Sequence, residues 1–172
     1  NVPARHRLSR PTAATRVCLA HWAAVTTRRV VKRALAVADP LFGSTTGVTV
    51  LIYHRVGGGS SSEVDLDVDV FRTQLDHLRS HHDVIALDEA VRRLSDGEPI
   101  EDAVVLTFDD GTVDFCEVVV PLLVEAGLPA TLYVAPRFVD RGEPFPWGAP
   151  PVSWAALRDA LSTGIVTVGS HT

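Results

Sequence analysis

Cysteine is scarce in this sequence. The 172 residues contain only Cys18 and Cys116, far apart and in no Cys-x-x-Cys pair. The sequence therefore gives no indication of a disulfide framework or of a thiolate metal site. Both cysteines are predicted to pack as small apolar residues. Long apolar runs are also missing, since no stretch approaches the roughly 18 residues that a membrane span requires.

Basic residues are scarce after residue 40. Residues 1–40 hold eight basic residues and the single acid Asp39, whereas residues 41–172 hold eight basic residues and 20 acids, a net charge of -12. This asymmetry predicts a basic N-terminal extension over residues 1–47, helical over 14–38, joined to an acidic domain over 48–172. The extension is interpreted either as a solvated helix or as a contact for an anionic membrane surface or acidic polymer. The acidic domain argues against nucleic acid as the main partner.

The composition is that of a soluble globular domain, with 46% hydrophobic and 22% charged residues. The sequence starts at Asn1 without an initiator Met and ends at Thr172, directly after a strand-like run. We therefore expect a fragment of a longer protein.

From Val48 onward, short apolar runs alternate with amphipathic segments. Strands are predicted over residues 48–53, 84–86, 103–108, 130–135 and 165–168. Helices are predicted over residues 70–81, 88–95 (capped by Asp88), 114–126 (interrupted by Pro121) and from Ser153 onward. Residues 57–62 are expected to form a flexible Gly/Ser loop and residues 140–152 a long loop. The alternation indicates an α/β fold with parallel strands, either a barrel or an open sheet, whose strands are buried on both faces.

Three polar clusters follow predicted strands. They are Tyr53-His54-Arg55, Asp109-Asp110-Gly111 and Ser170-His171-Thr172. In parallel α/β folds the active site lies at the carboxyl ends of the strands. Two carboxylates and two imidazoles at that edge indicate a metal site or an acid–base pair.

The adjacent aspartates suit such a site. Neighbouring side chains leave a strand in different directions, so one carboxylate can bind a metal while the other stays free as a base. Two carboxylates this close repel each other, and a cation relieves that repulsion. The alternative is that Asp109 and Asp110 merely cap the following helix, because Asp, Gly and Thr also favour turns.

These motifs resemble those of a known family. The run Leu106–Gly111 resembles the first motif of polysaccharide deacetylases, the NodB-like carbohydrate esterases of family 4. The run Gly169–Thr172 is similar to the opening of their second motif, His-Ser/Thr-x-x-His, and Leu51–Val56 is similar to the first strand of one branch. The resemblance spans about residues 48–172.

The resemblance implies a partial, distorted (β/α) barrel, truncated on its C-terminal side. It implies that Asp109 is the catalytic base and that Asp110 and His171 bind a divalent metal, with zinc first and cobalt, nickel or iron as alternatives. The third ligand would be a histidine four residues after His171, beyond Thr172. The implied activity is metal-dependent hydrolysis of acetyl groups from N-acetylated or O-acetylated sugars of a polysaccharide.

Two further expectations follow. The isolated chain should be inactive, because a ligand and the acid that protonates the leaving amine would lie beyond its end. Family members are often exported or work at the cell envelope, which favours that location.

Two more residues are candidate substrate contacts. His54 follows the first strand, where it either lines the substrate cleft or fixes the loop. Trp147 lies in the Pro/Gly loop and can stack on a sugar ring. Trp154 is instead predicted to be in the core, in phase with Leu157.

Two other functions are considered. One is a non-catalytic glycan-binding domain on a decayed deacetylase fold. The other is a phosphatase of the haloacid-dehalogenase type, because Phe108–Thr112 resembles Asp-x-Asp-Gly-Thr with one residue missing. That chemistry needs aspartates two positions apart on the same side of the chain, whereas Asp109 and Asp110 are adjacent.

Overall fold

A computed structural model describes residues 47–172. The predicted helix over 14–38, most of the basic extension and Cys18 lie outside the described residues. The described strands are β1 (Val48–Tyr53), β2 (Arg55–Val56), β3 (Asp65–Leu66), β4 (Asp83–Val84), β5 (Ala103–Phe108), β6 (Ala130–Val134) and β7 (Val166–Ser170). The described helices are α1 (Val68–His81), α2 (Leu87–Ser95), a π-helical turn (Phe115–Val119), α3 (Val120–Ala126), α4 (Pro136–Arg141) and α5 (Trp154–Ser162).

The main sheet is parallel, with the strand order β1-β5-β6-β7, and β4 pairs with the start of β5. β1 and β5 run in register from Val48 opposite Ala103 to Tyr53 opposite Phe108. The short strands β2 and β3 form a separate parallel pair. The predicted α/β class with a parallel sheet is confirmed. Over the described residues the sheet is open, with β1 and β7 at its edges.

The core lies around β5, all six of whose residues are buried. Helix α1 covers the sheet with Phe71, Leu75 and Leu78, the apolar positions that predicted the helix. Phe108 is stacked on Tyr53 with ring centroids 5.1 Å apart. This packing fixes the end of β5, from which the aspartate pair emerges.

β1 was expected to be buried on both faces, and this is wrong. Ile52 is 63% exposed and Val50 is also exposed. Among the described strands β1 is hydrogen-bonded to β5 alone. A short apolar run does not distinguish a central strand from an edge strand, because pairing partners are not encoded locally.

The helix predicted over residues 114–126 is present, but Pro121 does not break it: a π-helical turn passes directly into α3, with αR backbone at Val119 and Val120. The π-helical turn ends at Val119, and α3 begins at Val120 with Pro121 in its first turn. Proline has no N–H to donate to the preceding turn, and the first turn of a helix tolerates that loss. A π turn inside a helix is a frequent feature of functional sites, and this one follows the aspartate pair closely.

Other details of the prediction differ. Helix α2 begins at Leu87, so Asp88 lies in its first turn and is not the cap; the capping residue is Ala86, which makes no side-chain hydrogen bond. Helix α4 was not predicted, because its six residues are too few to show a helical period. Among residues 47–172 no helix combines the length and apolarity that a membrane crossing needs.

The predicted cap of the last helix is confirmed, but its core residue is not. The Ser153 side chain accepts a hydrogen bond from the Ala156 N–H. Trp154 was predicted to be in the core, yet it is 42% exposed. Its indole N–H donates to the Asp140 carboxylate at 2.9 Å, and the buried residues of this helix are Leu157 and Ala160.

Candidate active site at the carboxyl ends of the strands

A cleft of about 540 Å³ opens beside the ends of β1, β5 and β7. Its lining comes from all three predicted polar clusters and from two loops: His54, Arg55, Ser60, Ser61, Ser62, Val64, Asp110, Trp147 and His171. Asp110 and His171 are 61 positions apart in sequence but share this cleft, because their parallel strands end at the same edge.

Asp109 lies between two imidazoles. Its N–H donates to the Tyr53 carbonyl at 2.9 Å, which extends the β1–β5 pairing by one bond. Its Oδ2 atom is 3.9 Å from Nε2 of His54 and 3.9 Å from Nε2 of His171. Both distances exceed a direct hydrogen bond. The arrangement places a carboxylate, which can accept a proton, next to two imidazoles, each of which can donate or accept one.

Asp110 has an unusual backbone. Its φ is +72°, and the Gly111 N–H donates to the Asp109 carbonyl at 2.9 Å across the resulting three-residue turn. The Asp110 carbonyl accepts from the Ala135 N–H at 2.9 Å, which ties the turn to the end of β6. A positive φ at a non-glycine residue is uncommon, and such strain concentrates at functional sites.

Gly111 continues this turn, with φ +84°. A Cβ atom at this position would lie 2.8 Å from Cγ2 of Val134. Glycine is therefore required for two reasons, its backbone conformation and the close approach of β6.

His171 follows β7. Its N–H donates to the Val134 carbonyl at 2.7 Å, so its backbone continues the β6–β7 ladder. Its Nδ1 lies 3.0 Å from the Thr172 backbone oxygen. Its other ring nitrogen, Nε2, faces Asp109, and a histidine that binds a metal through one ring nitrogen usually has the other hydrogen-bonded.

The donor types fit a zinc ion only in part. A carboxylate and an imidazole, from Asp110 and His171, are ligands that zinc takes. Within residues 47–172, however, no group of three or more His, Cys, Asp or Glu side chains is arranged to hold a metal ion. A complete three-ligand site would need a further donor from outside the described residues.

A buried ion-pair network lies beneath the cleft, and sequence analysis assigned it no role. Arg55 Nε is 3.4 Å from Asp114 Oδ1, and Arg55 Nη1 is 3.7 Å from Asp65 Oδ2. Asp114 Oδ2 also accepts the Val56 N–H at 3.0 Å. No local sequence pattern predicts this network, because the pairing of Arg55 with Asp114 spans 59 positions.

The Asp65 carboxylate is stabilised by hydrogen bonds and by a nearby positive charge. Burial alone would raise the pKa of its carboxyl, but hydrogen bonds from Ser60 and Gly58 and the charge of Arg55 outweigh burial and lower that pKa. The carboxylate is therefore charged at neutral pH.

Cys116 is half-buried and lies on the π-helical turn. Burial, and then the charges of Asp159 and Glu117, raise the pKa of its thiol to about 11. A protonated thiol is a poor nucleophile, which agrees with the prediction of a packed residue.

Comparison with known proteins supports this reading of the motifs. Residues 96–172 match the family model described as polysaccharide deacetylase. No curated protein matches the chain in sequence. Similar solved structures include IcaB from Ammonifex degensii, with 29% identity and a TM-score of 0.68 over 74% of this chain and 54% of that one.

Two others share the fold at lower identity. The de-N-acetylase from Aggregatibacter actinomycetemcomitans has 22% identity and a TM-score of 0.63, over 73% of this chain and 54% of that one. The deacetylase PplD from Streptococcus pyogenes has 23% identity and a TM-score of 0.63, over 76% of this chain and 57% of that one.

The chain thus spans little more than half the length of these structures. The family match begins inside the region of the predicted resemblance and contains the aspartate pair and His171. Over residues 96–172 this chain is therefore similar to the polysaccharide deacetylase family, and the fold shared with IcaB agrees with that similarity.

Proposed function

We propose that the protein is a metal-dependent hydrolase that removes acetyl groups from the amino sugars of a polysaccharide. The observation that carries this proposal is the shared cleft of Asp110 and His171, with the Asp109 carboxylate 3.9 Å from the imidazoles of His54 and His171. The match of residues 96–172 to the polysaccharide deacetylase model supports a polysaccharide as the substrate.

Asp110 and His171 would hold the metal ion. When bound, a divalent ion of the zinc type supplies Lewis-acid polarisation of the acetyl carbonyl and lowers the pKa of water. The strained turn at Asp110 directs its carboxylate to the cleft, and Asp109 remains free of this task.

Asp109 acts as the general base in this proposal. It accepts a proton from water as the water oxygen bonds to the acetyl carbon. The bond between that carbon and the sugar nitrogen then breaks, acetate leaves, and the nitrogen must receive a proton.

His54 is a candidate donor of that proton. It lines the cleft, and its Nε2 lies 3.9 Å from Asp109 Oδ2, so the two groups face the same reacting centre. His54 is thus an alternative, within the described residues, to the proton-donating acid that was expected beyond Thr172.

A non-catalytic glycan-binding domain is the second candidate. It is favoured by one observation, the lack of a three-donor group among residues 47–172. The phosphatase of the haloacid-dehalogenase type has no comparable support, because the family match is to deacetylases.

Zinc binding and acetate release test the proposal. The 172-residue chain should bind zinc weakly and release no acetate from a chitin oligomer, whereas the full gene product should release it. Asp110→Asn and His171→Ala should abolish zinc binding. Asp109→Asn should leave zinc binding intact and lower kcat at least about 100-fold.

Asp88→Asn, an exposed carboxylate in the first turn of α2, is the matched control and should change neither quantity. Sugar binding without acetate release by the full gene product would favour the second candidate. Zinc binding that survives Asp110→Asn would contradict the ligand assignment.

A further inference from the structure

Trp147 is held as a rigid, open platform. Its ring is stacked on Phe145, with centroids 4.9 Å apart and planes inclined by 17°, and Phe145 in turn is stacked on Phe138. Phe145 is buried, but Trp147 is 54% exposed and lines the cleft. One indole face is therefore covered, and the remaining surface is available to a ligand.

The backbone around Trp147 is also fixed. The Gly148 N–H donates to the Phe145 carbonyl at 2.7 Å, which closes a turn with Trp147 at its corner. The same loop is hydrogen-bonded to the turn at Asp109–Gly111, because the Val152 N–H donates to the Gly111 carbonyl at 2.9 Å. The indole is thus held at a defined position relative to Asp110.

Three hydroxyl groups also line the cleft. Residues Ser60–Ser62, here called the serine loop, are exposed and line the cleft together with Trp147, Asp110 and His171. Ser60 Oγ accepts the Ser62 N–H at 3.3 Å, and Ser62 Oγ accepts the Val64 N–H at 3.4 Å. Each hydroxyl has one donor and two acceptor positions, so the loop keeps hydrogen-bonding capacity for a polar ligand.

Asp65 is hydrogen-bonded to the serine loop, which lies within the Gly/Ser segment that was expected to be flexible. The two carboxylate oxygens of Asp65 accept the N–H groups of Gly58 and Ser60 at 2.9 and 2.8 Å. Its own N–H donates to the Ser62 carbonyl at 3.1 Å. A loop that is ordered before binding loses less entropy when a ligand arrives.

Arg55 supports the same loop. A Cβ atom at Gly58 would overlap the Arg55 guanidinium, so the loop lies directly on that side chain. The guanidinium is neutralised by Asp65 and Asp114 and is only 10% exposed. Among the described residues that line the cleft it is the sole permanently charged cation, and it is already paired. Within residues 47–172 the lining of the cleft thus has no unpaired Lys or Arg side chain for an anionic sugar.

We propose that Trp147 and the serine loop form a second subsite, which binds an uncharged pyranose unit next to the reacting one. The apolar face of the ring stacks on the indole, and its hydroxyl groups bond to the serine hydroxyls. The inference rests on the proposed function for the identity of the neighbouring, reacting sugar. This second subsite would make the protein bind an oligomer in preference to a single sugar.

Calorimetric titration of the 172-residue chain tests the subsite. The probes are N-acetylglucosamine, its pentamer, cellopentaose and a pentamer of galacturonic acid. The N-acetylglucosamine pentamer should bind more tightly than the monomer, and the acidic pentamer should bind least among the pentamers. Trp147→Ala should weaken pentamer binding about tenfold and Ser61→Ala about fivefold, with little effect on the monomer.

Two variants serve as matched controls. Trp154→Ala removes an indole that is also exposed but does not line the cleft. Ser80→Ala removes an exposed hydroxyl on α1 that bonds to the Asp76 carbonyl. Both should leave pentamer affinity within about twofold of the unaltered chain.

The outcomes separate the subsite from the proposed function. Binding of cellopentaose that depends on Trp147, with no binding of the acetylated pentamer, would support the subsite and contradict the deacetylase substrate. Acetate release by the full gene product that is insensitive to Trp147→Ala, with unchanged pentamer affinity, would overturn the subsite alone. Tighter binding of the acidic pentamer, or no binding of any pentamer, would also overturn it.

Discussion

The guanidinium of Arg55 lies 3.4 Å from the Asp114 carboxylate, and the two side chains are only 10% and 7% exposed. Arg55 follows β1 by two residues, and Asp114 precedes the π-helical turn, so the pair joins two segments that flank the cleft. A buried charge that loses its partner is costly, because the remaining charge is then neither solvated nor compensated.

Asp114→Asn should therefore destabilise the domain by about 3–5 kcal/mol, measured as the free energy of unfolding in urea. Glu125→Gln is the matched control, since its partner Arg72 lies 3.2 Å away but both side chains are well exposed. That change should cost less than about 1 kcal/mol. Equal small losses for the two variants would show that the buried pair adds nothing to stability.

Thr112 is fully buried, and within the described residues its hydroxyl has no hydrogen-bond partner. Thr112→Val should leave the free energy of unfolding unchanged or raise it by about 1 kcal/mol, because it removes an unsatisfied buried group of the same shape. Thr107→Val is the control, since that hydroxyl donates to the Leu51 carbonyl at 3.1 Å. It should lose about 1 kcal/mol. A loss at Thr112 as large as that at Thr107 would indicate an undetected partner.

Alanine substitutions at Gly111 and Gly127 distinguish the cost of backbone strain from the cost of steric overlap. Both have positive φ, at +84° and +68°, but a Cβ at Gly127 would meet nothing within 4 Å. Gly127→Ala should cost about 1 kcal/mol from its conformation alone. Gly111→Ala should cost more, because its Cβ would lie 2.8 Å from Val134 Cγ2. Urea unfolding midpoints measure both, and equal shifts would mean that β6 adapts without cost.

Stability at low pH should depend on Asp65. Its pKa in the folded protein is lowered, against an unfolded value of about 3.9. Its contribution is therefore complete above about pH 5 and is lost as the pH falls through the unfolded value toward the folded one. The difference in thermal midpoint between the unaltered protein and Asp65→Asn should be largest near pH 6 and shrink toward pH 3. A difference that stays constant would contradict the assignment.

Periodicity predicted most of the fold, because burial of one helix face or one strand run is a local property. The spacing of Phe71, Leu75 and Leu78 predicted α1, and Ala103–Phe108 was predicted as a strand with its observed bounds. The exposure of Ile52 and Trp154 was not predictable in this way. It depends on which neighbours cover each side, and that is a property of the assembled sheet.

The residues of the candidate site were named from the sequence, but the supports beneath them were not. Asp109, Asp110, His54, His171 and Trp147 were selected for their chemistry and their positions after strands or in a loop, and they do meet around one cleft. The serine loop was predicted only as part of a flexible Gly/Ser loop over residues 57–62, because Gly and Ser carry no pattern. Its order comes from Asp65 and Arg55, whose contacts no local rule predicts.

The sequence by itself determined the alternation of strands and helices and the chemical groups at the strand ends, since both are encoded within a few neighbouring residues. Only the tertiary structure decided that β1 lies at an edge, that Arg55 pairs with Asp114, and that the serine loop lies on the same cleft as Trp147. Those relationships join residues far apart in the chain, and they exist only once the parallel strands have brought their carboxyl ends to one edge.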